Sequence, residues 1–184
     1  MILRFAVQND AKALLAIYGP FVQDTAISFE TVVPGEAAFA ERIGSYTQKY
    51  PWLIAEKDGI IAGYAYAGKH REREAYQWSV ESSVYLHPDF QGQGIAQQLY
   101  RELFAMLKVL GYINVYAGIT LPNVPSTKFH HKQGFQLVGI YTQIGYKHGK
   151  WHDVQWMSRC LNTPGDNPRK PASVETILDW FQKP

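Results

Sequence analysis

The stretch Val84-Tyr85-Leu86-His87-Pro88-Asp89-Phe90-Gln91-Gly92-Gln93-Gly94-Ile95-Ala96-Gln97 carries an apolar strand pattern through two close glycines straight into a helix. The helix is marked by Ile95, Leu99, Leu103, Met106 and Leu110, which recur at the spacing of one buried face, and Gly111 supplies its stop. Glycines let a backbone approach a ligand closely. The first helical turn adds unpaired N–H groups and the positive end of the helix dipole, so this junction predicts a phosphate cradle that needs no lysine. Its spacing is neither the dinucleotide G-x-G-x-x-G nor the mononucleotide P-loop, because Ala96 follows Gly92-x-Gly94 and Gln97 and Gln98 stand where Lys and Ser would be. A phosphorylated ligand of another kind is expected there.

Outward from the junction, strands and helices follow one another without internal repeats. Leu3 to Val7 predicts a strand, and Asn9 or Asp10 a cap for a helix carrying Leu14, Leu15, Ile17 and Tyr18. Pro34-Gly35-Glu36 opens a second helix through Phe39, Ile43 and Tyr46. Trp52-Leu53-Ile54-Ala55 and Ile60 to Ala67 flank Lys57-Asp58-Gly59, whose Asp-Gly pair signals a hairpin turn. After a charged loop from Lys69 to Glu74, Tyr76 to Leu86 predicts the strand that feeds the glycines. Ile113 to Ile119 reads as a strand, Pro125 to Gln133 as a short helix, and Gln136 to Leu161 as a two-stranded ribbon turning at His148-Gly149-Lys150. The fold class is α/β (α+β), with a mixed, mostly antiparallel sheet, flanking helices and one crossover helix between the central strands. Residues 1–161 form one domain. Residues 162–184 begin as a linker with Pro164, Gly165, Pro168 and Pro171. They end in a short helix capped by Ser173, whose face of Val174, Ile177, Leu178 and Phe181 docks on the body or on a second subunit.

Composition narrows the function classes. With 184 residues, 46% hydrophobic and 18% charged, the chain has the balance of a globular domain able to bury a substantial core. A net charge of +2 without any Lys/Arg run argues against nucleic acid, and no segment has the length of a membrane span. The apolar start from Met1 to Val7 is too short for a secretory signal, so a cytoplasmic location is expected. The single cysteine, Cys160, excludes an internal disulfide and reads as a buried structural residue. His130 and His131 are adjacent and cannot chelate from one helix face, His148 and His152 straddle Gly149, and no cysteine cluster occurs. No metal is expected.

Preceded by Gln91, the glycine loop reads Q-x-x-G-x-A, which resembles the acetyl-CoA signature of the GNAT acetyltransferase superfamily. A second segment, Leu121-Pro122-Asn123-Val124-Pro125-Ser126-Thr127-Lys128-Phe129-His130-His131-Lys132-Gln133-Gly134-Phe135, resembles that superfamily's N-x-x-S/A-x-x-x-Y-x-x-x-G-F, with His130 in the usual tyrosine position. Trp78-Ser79-Val80-Glu81-Ser82-Ser83-Val84-Tyr85 and Gly145-Tyr146-Lys147-His148-Gly149-Lys150-Trp151-His152-Asp153-Val154 are further marks of its phosphinothricin acetyltransferase branch. The resemblance spans about residues 2 to 161. It implies that the central parallel strands splay to admit acetyl-CoA. Gln91, Gly92, Gln93, Gly94, Ile95, Ala96 and Gln97 would then hold the pyrophosphate, and Val84, Tyr85 and Leu86 would offer backbone N–H groups to the pantetheine and the thioester carbonyl. Asn123, Ser126 and Lys132 would flank the cofactor arm.

Acetyl transfer to an amine makes its own demands. An alkylammonium with a pKa of about 10 is mostly protonated at neutral pH, and only the neutral amine attacks a thioester, so a base must remove a proton. Glu81 is the first candidate, because alternation along the strand puts Glu81, Ser83 and Tyr85 on one face and Ser82, Val84 and Leu86 on the other. His130 is the second, able to take the amine proton or return one to the departing thiolate; a hydrogen-bonded structural histidine is the competing reading. For the acceptor, Phe29, Tyr76 and Trp78 are expected to wall a small-molecule pocket with Glu74, Ala75 and Glu81, and Arg73 to be a bidentate partner for a carboxylate. The resemblance implies the α-amine of a small amino acid or analogue, such as phosphinothricin, methionine sulfoximine or methionine sulfone. Lys147 and His148 are expected near the substrate or a dimer partner, and a homodimer is expected. The alternatives are the same fold acting on a polyamine, aminoglycoside or protein N-terminus, and a CoA-binding module without turnover.

Overall fold

A computed structural model describes residues 1–182. Its sheet contains β1 (Ile2–Phe5), β2 (Trp52–Lys57), β3 (Ile60–Lys69), β4 (Ser79–Leu86), β5 (Asn114–Thr120), β6 (Gln136–Lys147) and β7 (Lys150–Cys160), ordered β1-β2-β3-β4-β5-β7-β6. Every neighbouring pair is antiparallel except β4 and β5, which are parallel and joined by the crossover helix α3 (Ile95–Val109). The remaining helices are α1 (Ala11–Gln23), α2 (Glu36–Thr47) and α4 (Val124–Lys132).

The sheet separates two cores. Leu99, Tyr100, Leu103, Met106 and Leu107 of α3 pack on Leu53, Ala65, Val80, Val115, Ala117 and Met157, while Leu14, Ile17 and Tyr18 of α1 and Phe39 and Ile43 of α2 cover Trp52, Ile54 and Tyr64 on the other face. Each fully buried Leu or Phe side chain contributes about 1.5–3 kcal/mol through this burial. Two hairpins turn on paired left-handed residues, Asp58 with Gly59 and His148 with Gly149. Both φ values are positive in each turn, the geometry that matches the twist of the flanking strands.

Several local expectations differ from the outcome. Asp10 does precede α1, yet its carboxylate caps nothing there; it accepts from Val7 N at 2.8 Å and pairs with Arg4 at 2.8 Å. The strand expected from Tyr76 starts at Ser79, because Tyr76 N and Gln77 N donate to Arg73 O and Glu74 O and wind this part of the loop into a 3-10 turn. Cys160 is exposed at the end of β7, with Sγ 3.1 Å from Asn162 O. The tail docks on its own body as two 3-10 turns, Val174–Ile177 and Trp180–Gln182, and not as an α-helix. Ser173 Oγ accepts from Glu175 N, Val174 and Ile177 are buried, and Phe181 packs edge-on against Phe5. Leu178 points to solvent, since the 3-10 period of three residues per turn aligns Val174 with Ile177 and leaves Leu178 off that face. Residues 183 and 184 of the expected tail lie outside the described residues.

Candidate active site

The two parallel strands pair over only three positions, Ser79 with Asn114, Val80 with Val115 and Glu81 with Tyr116. Beyond Glu81 they diverge, and a cleft of about 590 Å3 opens beside β4. Which backbone groups face it follows from ladder alternation. His87 N donates to Ala62 O on the β3 side, and Trp78 O accepts from Ile113 N on the β5 side. Odd positions of β4 therefore spend their polar groups on β3, and even ones point to β5. The N–H and C=O groups of Val84 and Leu86 face the cleft without a strand partner. Tyr85, expected with them as a donor, turns its N–H to β3 instead, and its ring packs at 5.1 Å from Tyr18 and 5.2 Å from Phe21.

The glycine junction closes one end. Gly92 (φ 74°) and Gly94 (φ 78°) are left-handed, and a Cβ on either would meet no protein atom within 4 Å. Gln98 N closes the first helical bond to Gly94 O at 3.1 Å, which leaves the N–H groups of Ile95, Ala96 and Gln97 free of intrahelical partners at the positive end of α3. Gln91, Gly92, Gly94, Ile95, Ala96 and Gln97 line the cleft. The Gln93 side chain turns away, bonded to Lys57 Nζ at 2.9 Å and Asp89 O at 3.0 Å. A long ligand with a diphosphate fits this arrangement, because left-handed glycines, open space and unpaired donors coincide.

From the opposite wall, α4 contributes Ser126, Phe129, His130 and Lys132. Asn123 does not line the cleft; its Oδ1 accepts from Ser126 N at 3.1 Å and caps α4. His130 is 5% exposed, Nδ1–H donates to Ser126 O at 2.8 Å, and Nε2 lies 3.2 Å from the Tyr100 hydroxyl. Burial, aided by neighbouring His131, holds this imidazole below its ordinary pKa despite the Ser126 carbonyl. The Ser82 hydroxyl stands 3.3 Å from Tyr100, so Ser82, Tyr100 and His130 form a chain into the cleft wall. Tyr100 was not legible as a site residue, since Tyr on a patterned helix face reads as core.

Glu81 projects from the other face of β4. Its Oε1 lies 2.9 Å from His70 Nδ1, and the His70 ring stacks on Tyr116 at 4.3 Å and 7°. Burial raises the Glu81 carboxyl above the ordinary range, and the His70 hydrogen bond and the charges of His70 and Arg71 oppose that rise. Phe21, Ile27 and Ser83 border the cleft near this face. Phe29, half exposed, leans on Gly145, where an added Cβ would collide with its ring. Lys147 is buried and serves structure, donating at 2.6 Å to both Val22 O and Ser28 O; His148 Nε2 lies 3.2 Å from Thr25 O.

Arg73, Glu74 and Tyr76 line a separate depression of about 560 Å3 with Lys69, Arg71 and Tyr112, and Ala75 beside them is exposed. Glu74 pairs with Lys170 at 3.0 Å, and the Tyr76 ring stands 6.4 Å from that of His70. Among the described residues no group of His, Cys, Asp and Glu is arranged to hold a metal ion, and no helix is long and apolar enough to cross a membrane.

Comparison with known proteins converges on one chemistry. Residues 3–156 match the model of the acetyltransferase (GNAT) domain. The chain is 35% identical over 176 residues to phosphinothricin N-acetyltransferase of Streptomyces viridochromogenes, covering 96% of this chain and 95% of that protein. It is 33% identical over 163 residues to the L-methionine sulfoximine/L-methionine sulfone acetyltransferase of Salmonella typhimurium, covering 88% and 95%. A GNAT superfamily phosphinothricin acetyltransferase from Sinorhizobium meliloti, solved in complex with AcCoA, superposes with a TM-score of 0.85 at 33% identity, covering 94% and 97%.

Proposed function

Because the chain belongs to the GNAT acetyltransferase family, we propose that its acetyl transfer is directed to the α-amine of a small amino acid or analogue of the phosphinothricin, methionine sulfoximine or methionine sulfone type. The observation that carries this reading is the stretch of β4 beyond Glu81 that has no partner on its β5 side, with left-handed glycines before α3 at one end and the partly buried Glu81 carboxylate at the last residue paired with β5. Acetyl-CoA is the co-substrate, held at its diphosphate by the N–H groups of Ile95, Ala96 and Gln97. The N–H groups of Val84 and Leu86 are aimed at the pantetheine arm and thioester carbonyl, where fixed donors stabilise negative charge as it develops.

In this reading Glu81 accepts a proton from the ammonium of the acceptor. The freed nitrogen lone pair bonds to the thioester carbon as the carbon–sulfur bond breaks. The sulfur departs with the bonding pair as the thiolate, and the second nitrogen proton, shed as the amide forms, is taken up by that thiolate beside the Ser82 and Tyr100 hydroxyls, whose hydrogen-bonded chain ends on His130 Nε2. The products are the N-acetylated amine and free CoA thiol. The acceptor is held beside Glu81 with Tyr76, whose ring approaches that of His70, the residue paired with Glu81; Arg73 and Glu74 line the separate depression with Ala75 beside them, and Phe29 stands against Gly145, so these four are not assigned to the acceptor.

A homodimer and a cytoplasmic location complete the proposal. β6 is an edge strand of 12 residues exposing Leu137, Val138, Ile140, Tyr141, Ile144 and Tyr146, with Trp151 beside it. A long apolar edge invites pairing, and a second copy is the occupant we propose. The one exposed thiol, Cys160, suits a reducing compartment.

The test is CoA release from acetyl-CoA over a panel containing phosphinothricin, methionine sulfoximine, methionine sulfone, ordinary amino acids, spermidine and an aminoglycoside. Turnover concentrated on the amino-acid analogues is expected. Activity confined to spermidine or the aminoglycoside, or none with any amine, overturns the acceptor assignment.

A further inference from the structure

We propose that His70 is a positioning residue for this reaction, its Nδ1–H holding the Glu81 carboxylate ionised and aimed at the incoming ammonium. The inference rests on the reading of Glu81 as the proton acceptor. His70 follows β3 directly, in the loop leading to the 3-10 turn before β4, and nothing in its sequence context of Lys69, Arg71 and Glu72 singles it out. The tertiary structure turns it inward. Its side chain is 13% exposed, with Nδ1 2.9 Å from Glu81 Oε1. An ionised carboxylate can only accept, so the ring hydrogen resides on Nδ1.

The ring is also fixed in orientation. It stacks face to face on Tyr116 at 4.3 Å, meets Trp156 edge-on at 5.9 Å, and has Tyr76 at 6.4 Å across its edge. Tyr116 is the strand partner of Glu81 and belongs to the last paired position before β4 and β5 part. The imidazole is thus locked against the carboxylate of Glu81, the last residue of β4 that pairs with β5. A partly buried carboxylate without a donor favours its protonated form and acts as a base only at higher pH. The charged and titratable groups facing it are His70, Arg71 from the same loop, and Tyr116 from β5; Arg71 extends over the Trp156 ring at 5.9 Å, which leaves His70 as the hydrogen-bonding partner.

The substitutions are His70→Phe, which keeps a ring to stack on Tyr116 but removes the donor, and His70→Asn, which returns an N–H near the position of Nδ1. The pH dependence of kcat/KM is measured for each with the best acceptor from the panel. The Phe variant is expected to move the acidic limb to higher pH by about one unit or more, with the alkaline plateau close to that of the parent. The Asn variant moves the limb back towards the parent. A uniform loss at every pH with an unmoved limb assigns His70 a purely structural part and overturns the proposal, as does a Phe profile that superimposes on the parent.

A second measurement is independent of the acceptor: the titration of the Glu81 side-chain carboxyl followed by 13C NMR in the protein without acetyl-CoA. A midpoint raised in the Phe variant upholds the pairing even if no amine on the panel is acetylated, a result that would defeat only the acceptor assignment. An unchanged midpoint refutes the pairing whatever the panel gives.

Discussion

Gly94→Ala separates the cost of backbone strain from the cost to the phosphate cradle. Gly94 sits at φ 78° and ψ 2° immediately before α3, and a Cβ built on it has no protein atom within 4 Å. Alanine therefore causes no clash, and its penalty is the left-handed backbone, about 1–2 kcal/mol. For a domain of this size that lowers Tm by about 2–8 °C. Gly94 lines the cleft and immediately precedes the free N–H groups of Ile95, Ala96 and Gln97, so the added methyl group is expected to crowd a diphosphate bound there. Displacing the diphosphate from one of these donors forfeits a charge-assisted hydrogen bond of about 1.5–3 kcal/mol, which weakens acetyl-CoA binding about 10- to 150-fold. Gly59→Ala is the control, since Gly59 has φ 75° and equally open surroundings but lies in the β2–β3 turn. Calorimetric titration with acetyl-CoA, paired with thermal melts, should show similar losses in Tm for both variants and a binding defect only for Gly94→Ala. An affinity within twofold of the parent in a folded Gly94→Ala protein would refute the cradle.

Glu81→Gln should lower kcat by about 10²- to 10⁴-fold while Tm stays level or rises, because burial disfavours the charge that Gln removes; undiminished turnover in steady-state assays excludes Glu81 as the base. In the parent, the ionised form requires a pH above the raised carboxyl value, so kcat/KM should fall as pH drops through that value. His130 works in the opposite sense on stability. Its pKa is held down in the folded chain, so the unfolded chain takes up the proton first, and stability present above the ordinary histidine value is lost as pH falls below it. Denaturant melts from pH 7.5 to 5 should show a shallower decline for His130→Phe, and parallel curves would remove His130 as the cause. Ile140→Lys, on the exposed β6 edge, should shift the protein from dimer to monomer in light scattering; a parent that is already monomeric defeats the dimer proposal.

Local patterns were informative wherever one residue type has one physical use. Asp58-Gly59 and His148-Gly149 turn their hairpins because their backbones adopt positive φ, and the α3 face is legible because Ile95, Leu99, Leu103, Met106 and Leu110 are all buried. β4 starts later than the strand propensity of Tyr76 predicts, because two backbone hydrogen bonds to Arg73 and Glu74 wind that segment into a turn. Cys160 departs from expectation for a related reason: cysteine is usually buried, but here it falls at the exposed end of β7.

The sequence by itself determined the glycine junction before α3, the crossover and the face on which Glu81 stands, since each depends on short-range constraints: glycine φ freedom, helical periodicity and strand alternation. Only the tertiary structure decided which donors remain free and which side chains meet. Val84 rather than Tyr85 presents its N–H to the cleft because β3 pairs with the odd positions, a consequence of register between distant strands. His70 reaches Glu81, and Tyr100 reaches His130, across 11 and 30 residues of chain. Such contacts are set by how the sheet and α3 pack, and no local spacing encodes them.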